Sequence, residues 1–202
     1  MATKLYLIRH GETEDAQAKK YKGSINVPLS DNGIKQIEML ADFLKKHTLL
    51  NAVYSSPLSR AQNSAEIIAQ KYNLQTTIVE QLREIHFGAW EGMNFEEVQE
   101  KFPEEFEIWA NDPVKQGPVN GETIIQLRNR VMEAVNQILS INKNQNVAIV
   151  AHGAVNRVII ADILGLPLNN IFRIEQDFGA LNIIEFHRRF PILRLLNGIM
   201  YS

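Results

Sequence analysis

The chain has 202 residues, 45% of them hydrophobic, and a formal net charge of −2 with both signs interspersed; that suits one domain with a sizeable core and lacks the basic face a nucleic-acid partner requires. It contains no cysteine, so disulfides and thiolate metal sites are excluded and a reducing compartment is allowed. No apolar run approaches the ~18 residues that span a bilayer, and the opening MATKLYLIRHGE reaches charge too quickly for a secretory signal, so a cytoplasmic protein without a membrane partner is expected.

The first predicted element is a strand, Lys4–Ile8, ending on Arg9, His10 and Gly11. Ser30 is placed to cap a helix whose Ile34, Ile37, Ala41 and Leu44 share one face. A second strand, Ala52–Ser55, runs into a helix predicted to be capped by Ser56, with Pro57 at the first position, where a missing N–H costs nothing. Ala61, Ala65 and Ile68 form its apolar stripe. A third strand, Thr76–Val79, leads to Leu82, Arg83 and Glu84. The Pro/Gly-rich stretch DPVKQGPVNGET reads as a loop, and Glu122 within it is a candidate cap for a helix carrying Ile124, Leu127, Val131, Val135 and Ile138. Val147–Ala151 is apolar at every position, the pattern of a central strand covered on both faces. It ends on His152 and Gly153. The next helix, with Val155, Val158, Ile159 and Ile163 inward, stops at Gly165 with Pro167 beyond. Strands at Leu181–Phe186 and Ile192–Leu196 complete the set, the last being an edge candidate on which a homodimer is expected.

This alternation predicts an α/β three-layer sandwich, a mostly parallel central sheet with helices on both faces, formed by residues 1–202 as one domain. In open sheets of this kind, sites lie outside the carboxyl ends of the strands. Four such ends deliver His10, His152, Arg9, Arg60 and Glu84 to one rim. Each alone reads as an ordinary polar loop or helix residue; their convergence carries the expectation. Neither histidine belongs to a His-x-x-x-His pair, no Asp cluster completes a ligand set, and rim arginines repel a cation, so no metal is expected. Guanidinium forks and a helix N-terminus suit phosphate. An imidazole beside phosphorus can act as a nucleophile, and a carboxylic acid such as Glu84 can then protonate the departing oxygen. The second imidazole and the arginines would stabilise the transferring oxygens.

The segments LIRHGET, YSSPLSRAQNSAEII, LREIHFGAWEG, GET (Gly121–Thr123) and VAIVAHGAVNRVI follow one another along nearly the whole chain. In this order they resemble the histidine phosphatases, the phosphoglycerate-mutase-like superfamily. The resemblance implies that fold and a phosphohistidine mechanism needing neither metal nor cofactor. It makes His10 the phosphorylated residue, Arg9, Arg60 and His152 the phosphoryl ligands, and Glu84 the proton donor. Gly153 and the loop residue Gly23 join the binding set, and Gly11 is expected to keep the approach to His10 open. Members of the family commonly carry Asn six residues after the nucleophile; here that position is Ala16. Gln17 and Lys22, with Lys20 nearby, are candidates to contact phosphate in its place.

Glu84 and His152 are 68 positions apart, without the long insertion of the cofactor-dependent mutases. The flank REIHFGAWEGMNFEEV resembles the short phosphatases, especially the α-ribazole phosphatase branch, and its FGAWEG pattern occurs in broad-specificity and phosphoserine phosphatases too. The expected function is a metal-independent phosphomonoesterase acting on a small phosphorylated metabolite such as α-ribazole 5′-phosphate. Mutase-type phosphoryl transfer and non-catalytic phospho-ligand binding are the alternatives. Trp90, Trp109, Phe95, Phe102 and Phe106 are expected to pack a helical cap-like insertion at about 91–120, some of them lining the leaving-group pocket. His86, two residues past Glu84, faces either the site or solvent.

Overall fold

Along the first strand, β1 (Thr3–Arg9), Leu5 and Leu7 enter one apolar cluster while Tyr6 and Ile8 enter another, as the two-residue period of a strand requires. Strand β4 (Asn146–Ala151) repeats the division, with Val147, Ile149 and Ala151 on the first side and Ala148 and Val150 on the second. Each side is covered by a helix pair. Helices α1 (Asp31–His47) and α2 (Ser59–Lys71) bury Ile37, Leu40, Leu44, Ala61, Ala65 and Ile68 on one face of the sheet. Helices α5 (Ile124–Ile141) and α6 (Gly153–Leu164) bury Leu127, Val131, Val135, Val155, Val158 and Ile159 on the other. The computed structural model describes residues 2–18 and 20–200.

The sheet has six strands in the order β3-β2-β4-β1-β5-β6, adding β2 (Ala52–Ser55), β3 (Thr76–Ile78), β5 (Leu181–Phe186) and β6 (Pro191–Gly198). β3, β2, β4 and β1 run parallel, whereas β5 is antiparallel to β1 and β6 to β5. The three-layer, mostly parallel architecture expected from the sequence is the observed one. Between β3 and α5 lie two short helices, α3 (Phe95–Lys101) and α4 (Pro103–Asn111). Trp90, fully buried, meets the rings of Phe106 and Trp109 beneath them. Among the described residues, no helix is long and apolar enough to cross a membrane.

Two helix starts differ from expectation. Ser30 caps α1 by accepting the Gly33 N–H, and Gly165 ends α6 in the left-handed conformation, both as predicted. Ser56, however, caps nothing. Helix α2 begins at Ser59 behind Leu58, and Pro57 sits in the bend before it; the Ser56 hydroxyl instead accepts the Leu58 N–H and meets a histidine ring. Likewise Thr123, not Glu122, caps α5, exchanging hydrogen bonds with Gln126. Glu122 instead pairs with Arg130, at 2.7 Å.

Candidate active site

The parallel register of β1 and β4 sets Arg9 opposite Ala151, so the next residues, His10 and His152, leave the sheet side by side. The His10 N–H donates to the Ala151 carbonyl at 3.1 Å, and the two rings stand 5.1 Å apart between centroids. β2 ends one strand further on, where the Ser56 N–H donates to Val150. The chain entering β5 closes the rim from the other side: Arg9 donates to Ala180 and Gly179 to the His10 carbonyl.

Hydrogen-bond inventories assign the protons of both imidazoles. Nδ1 of His10 lies 2.7 Å from the Gly11 carbonyl, which only accepts, so Nδ1 carries the hydrogen and Nε2 the lone pair. His10 is buried, and burial, reinforced by Arg9 and Arg60, holds its pKa well below the ordinary histidine value. The ring is therefore a neutral base at pH 7. In His152, Nε2 lies 2.7 Å from the Ser56 hydroxyl, whose proton has no other acceptor among the described residues, its oxygen accepting the Leu58 N–H. The Ser56 proton therefore points to Nε2, leaving the hydrogen of His152 on Nδ1. That atom is fully buried and has no hydrogen-bond partner among the described residues. Burial, then His10 and the arginines, keeps this ring neutral as well. One imidazole thus offers a lone pair and its neighbour an uncommitted N–H.

Arg60, on the first turn of α2, is buried and donates from its two terminal nitrogens to the carbonyls of Ile25 and Gly23, at 2.7 and 2.9 Å. Gly23 has a φ of +46°, and a side chain there would collide with Glu91. The guanidinium of Arg9 lies 3.9 Å from the centre of the Phe178 ring and donates to the Gln176 carbonyl. Gln176 is locked by a buried amide network with Asn156 and Asn182. Burial lowers the pKa of Arg9 to about 10, which leaves it charged at neutral pH. Glu84 is oriented by two backbone donors, Ile85 to one oxygen and Ala154, in the first turn of α6, to the other.

These groups meet in a cavity of about 410 Å³ whose wall includes Arg9, His10, Arg60, Glu84 and Gly153. His152 lies beneath them, fully buried. Ala16, Lys20, Lys22 and Gly23 line a further side, and Tyr21, Phe87, Phe172 and Phe178 supply apolar surface. Lys22 is held at 2.5 Å from both Asp15 and Thr13. Gln17 is exposed on a 3₁₀ turn at Ala16–Ala18 and is not part of the wall. Half-exposed His86 lines a neighbouring groove of about 650 Å³ beyond Glu84, where Arg83 and Arg130 are already paired with Glu80 and Glu122. Gly11 has a different reason to be small. A Cβ there would lie 2.3 Å from the Gly33 carbonyl oxygen, so it permits backbone packing rather than access to His10.

Sequence reasoning missed four contributors. Ser56 read as a cap. Arg157 lines the cavity four residues after Gly153, on the same face of α6, a spacing that was available to see. Phe172 and Phe178 arrive from the connection before β5, where no periodicity marks them.

The family model for the histidine phosphatase superfamily (branch 1) matches residues 5–198. The chain belongs to this family. It is 34% identical over 194 residues to phosphoserine phosphatase 1 of Hydrogenobacter thermophilus, covering 96% of this chain and 92% of that one. It is 31% identical over 200 residues to the adenosylcobalamin/alpha-ribazole phosphatase of Escherichia coli, covering 96% of each. The crystal structure of the alpha-ribazole phosphatase from Shigella flexneri superposes with a TM-score of 0.89 at 31% identity, covering 96% of both chains. This histidine phosphatase is accordingly an enzyme, a phosphatase like those relatives.

Proposed function

We propose that the enzyme hydrolyses phosphomonoesters of small metabolites through a phosphohistidine on His10. The observation that carries this reading is the complementary protonation of two neutral imidazoles beside Arg9 and the buried Arg60, Nε2 of His10 bearing a lone pair beside Nδ1–H of His152. Nε2 attacks phosphorus, a P–N bond forms, and the ester P–O bond breaks as the carboxylic acid of Glu84 protonates the leaving oxygen. Water then attacks the phosphohistidine while the Glu84 carboxylate takes its proton. The P–N bond breaks, His10 regains its lone pair and inorganic phosphate departs. Arg9, Arg60 and the Nδ1–H of His152 hold the transferring oxygens throughout, with the start of α6 at Gly153 and the Lys22 ammonium beside Ala16 adding positive potential. So much fixed positive charge disfavours a metal ion in the same space. Residues 91–120, with α3 and α4, act as a cap over the leaving-group side, linked to the cavity wall through the contact of Trp109 with Phe172. The outer edge of β6 is the surface for a homodimer, and the absence of cysteine suits a cytoplasmic enzyme.

The test is hydrolysis of p-nitrophenyl phosphate in EDTA, with α-ribazole 5′-phosphate and O-phosphoserine as candidate metabolites. Wild-type protein turns over and, quenched during turnover, carries acid-labile phosphate; His10→Ala does neither. Labelled phosphoprotein in His10→Ala, or turnover lost in EDTA and restored by a metal, would overturn the reading.

A further inference from the structure

Arg157 is a cation of the cavity that phosphoryl binding does not use. It stands on α6, and its Nε donates to the Ile174 carbonyl at 2.7 Å. That bond pins the side chain with one of its five donors. No other hydrogen bond of the Arg157 guanidinium is made among the described residues, and no carboxylate there lies within 4 Å of Arg9, Arg60 or Arg157. A Cβ built on Gly153 would meet Nη1 of Arg157 at 3.2 Å and Cζ of Arg9 at 3.8 Å, so the two guanidiniums flank Gly153 with no counter-charge between them.

A purely structural arginine does not account for this placement. Fixing Ile174 needs a single N–H, and two like charges this close in a half-buried wall repel one another. Arg9 and Arg60 already match the two charges of a phosphoryl group. Among the other cations of the wall, Lys22 is ion-paired and Lys20 is exposed. Arg157 reaches from Gly153, beside Arg9, towards Ile174, the residue after the 3₁₀ turn Leu168–Arg173 that carries Phe172.

We infer that Arg157 is the subsite for a second anionic group on the substrate, a carboxylate or a second phosphate carried by the leaving group, whose body packs against Phe172. This rests on the phosphatase reading above and adds the class of substrate: small phosphomonoesters with two separate anionic centres. A guanidinium fork accepts either anion in a bidentate manner.

Matched substrates test it. O-phosphoserine and O-phosphoethanolamine differ only by the carboxylate; fructose 1,6-bisphosphate and fructose 1-phosphate differ only by the second phosphate. Wild-type kcat/KM is expected to favour the doubly anionic member of at least one pair on the order of 10- to 100-fold, mainly through KM, and the preference shrinks with added salt. Arg157→Gln erases that preference, and Arg157→Lys retains part of it. The pair that shows the effect identifies the second anion as carboxylate or phosphate. A preference that survives Arg157→Gln, equal losses on both members of each pair, or no preference in the wild type would each overturn the assignment. Should Arg157→Gln fail to fold, the wild-type preference and its salt dependence decide the matter. Turnover of p-nitrophenyl phosphate without an anion preference removes this inference alone; no turnover of any ester removes the phosphatase mechanism with it.

Discussion

Ser56 decides where the proton of His152 resides. Its oxygen accepts the Leu58 N–H and its hydrogen faces Nε2, so Nδ1 is left as a donor in a fully buried position. An unpaired buried N–H costs on the order of 1–3 kcal/mol, and a phosphoryl oxygen would satisfy it. In Ser56→Ala the hydroxyl is gone and the tautomer is no longer set. Two-bond ¹H–¹⁵N spectra are expected to show Nδ1–H for His152 in the wild type and a shift towards Nε2–H in the variant. Turnover should fall on the order of 10-fold or more, the cost of one transition-state hydrogen bond, with Thr restoring most of it. An unchanged tautomer in Ser56→Ala would show that Ser56 only packs.

At the scale of elements, the site is a consequence of register. Parallel pairing of β1 with β4 puts two histidines in contact although they are 142 positions apart in the chain, and α1 packs so closely under the loop after β1 that two glycines face each other. A Cβ on Gly11 would sit 2.3 Å from the Gly33 oxygen, and one on Gly33 2.0 Å from the Glu12 oxygen. Neither contact can be relieved by a side-chain rotation, since both partners are backbone. Gly11→Ala is expected to destabilise by about 1–3 kcal/mol, as overpacking does, and to lower activity by shifting the Gly11 carbonyl that holds His10. Gly165→Ala is the comparison: its φ is +65° with nothing within 4 Å of a new Cβ. It should lose about 1 kcal/mol from backbone strain and keep its activity. Denaturant midpoints and kcat/KM for p-nitrophenyl phosphate separate the two.

For the whole molecule, the two buried imidazoles tie stability to pH. Their folded pKa values lie well below the ordinary 6.5, so below that pH the unfolded chain binds protons the folded one refuses. Stability is then greatest above about pH 6.5 and falls as the pH drops towards the folded values, at up to about 1.4 kcal/mol per unit for each histidine. Glu185, held at about 2 by hydrogen bonds from Lys4 and Arg194, belongs to a lower range. Urea midpoints measured from pH 7.5 to 5 should fall, and the slope should flatten in a His10→Gln, His152→Gln double variant; an identical slope would mean that other groups control it. Residue order and periodicity alone determined the α/β class, the strand ends near Ile8 and Ala151, and the placing of His10, His152, Arg9, Arg60 and Glu84 on one rim, because apolar period and strand-end location are local properties of the chain. Only the tertiary structure decided which nitrogen of each imidazole bears the proton, that Ser56 serves a histidine and not a helix, that Gly11 is small for the sake of Gly33, and that Arg157 faces the cavity beside Arg9. Each of those depends on atoms brought together from distant segments, and contact at hydrogen-bond range is a property of packing that no spacing in the chain records.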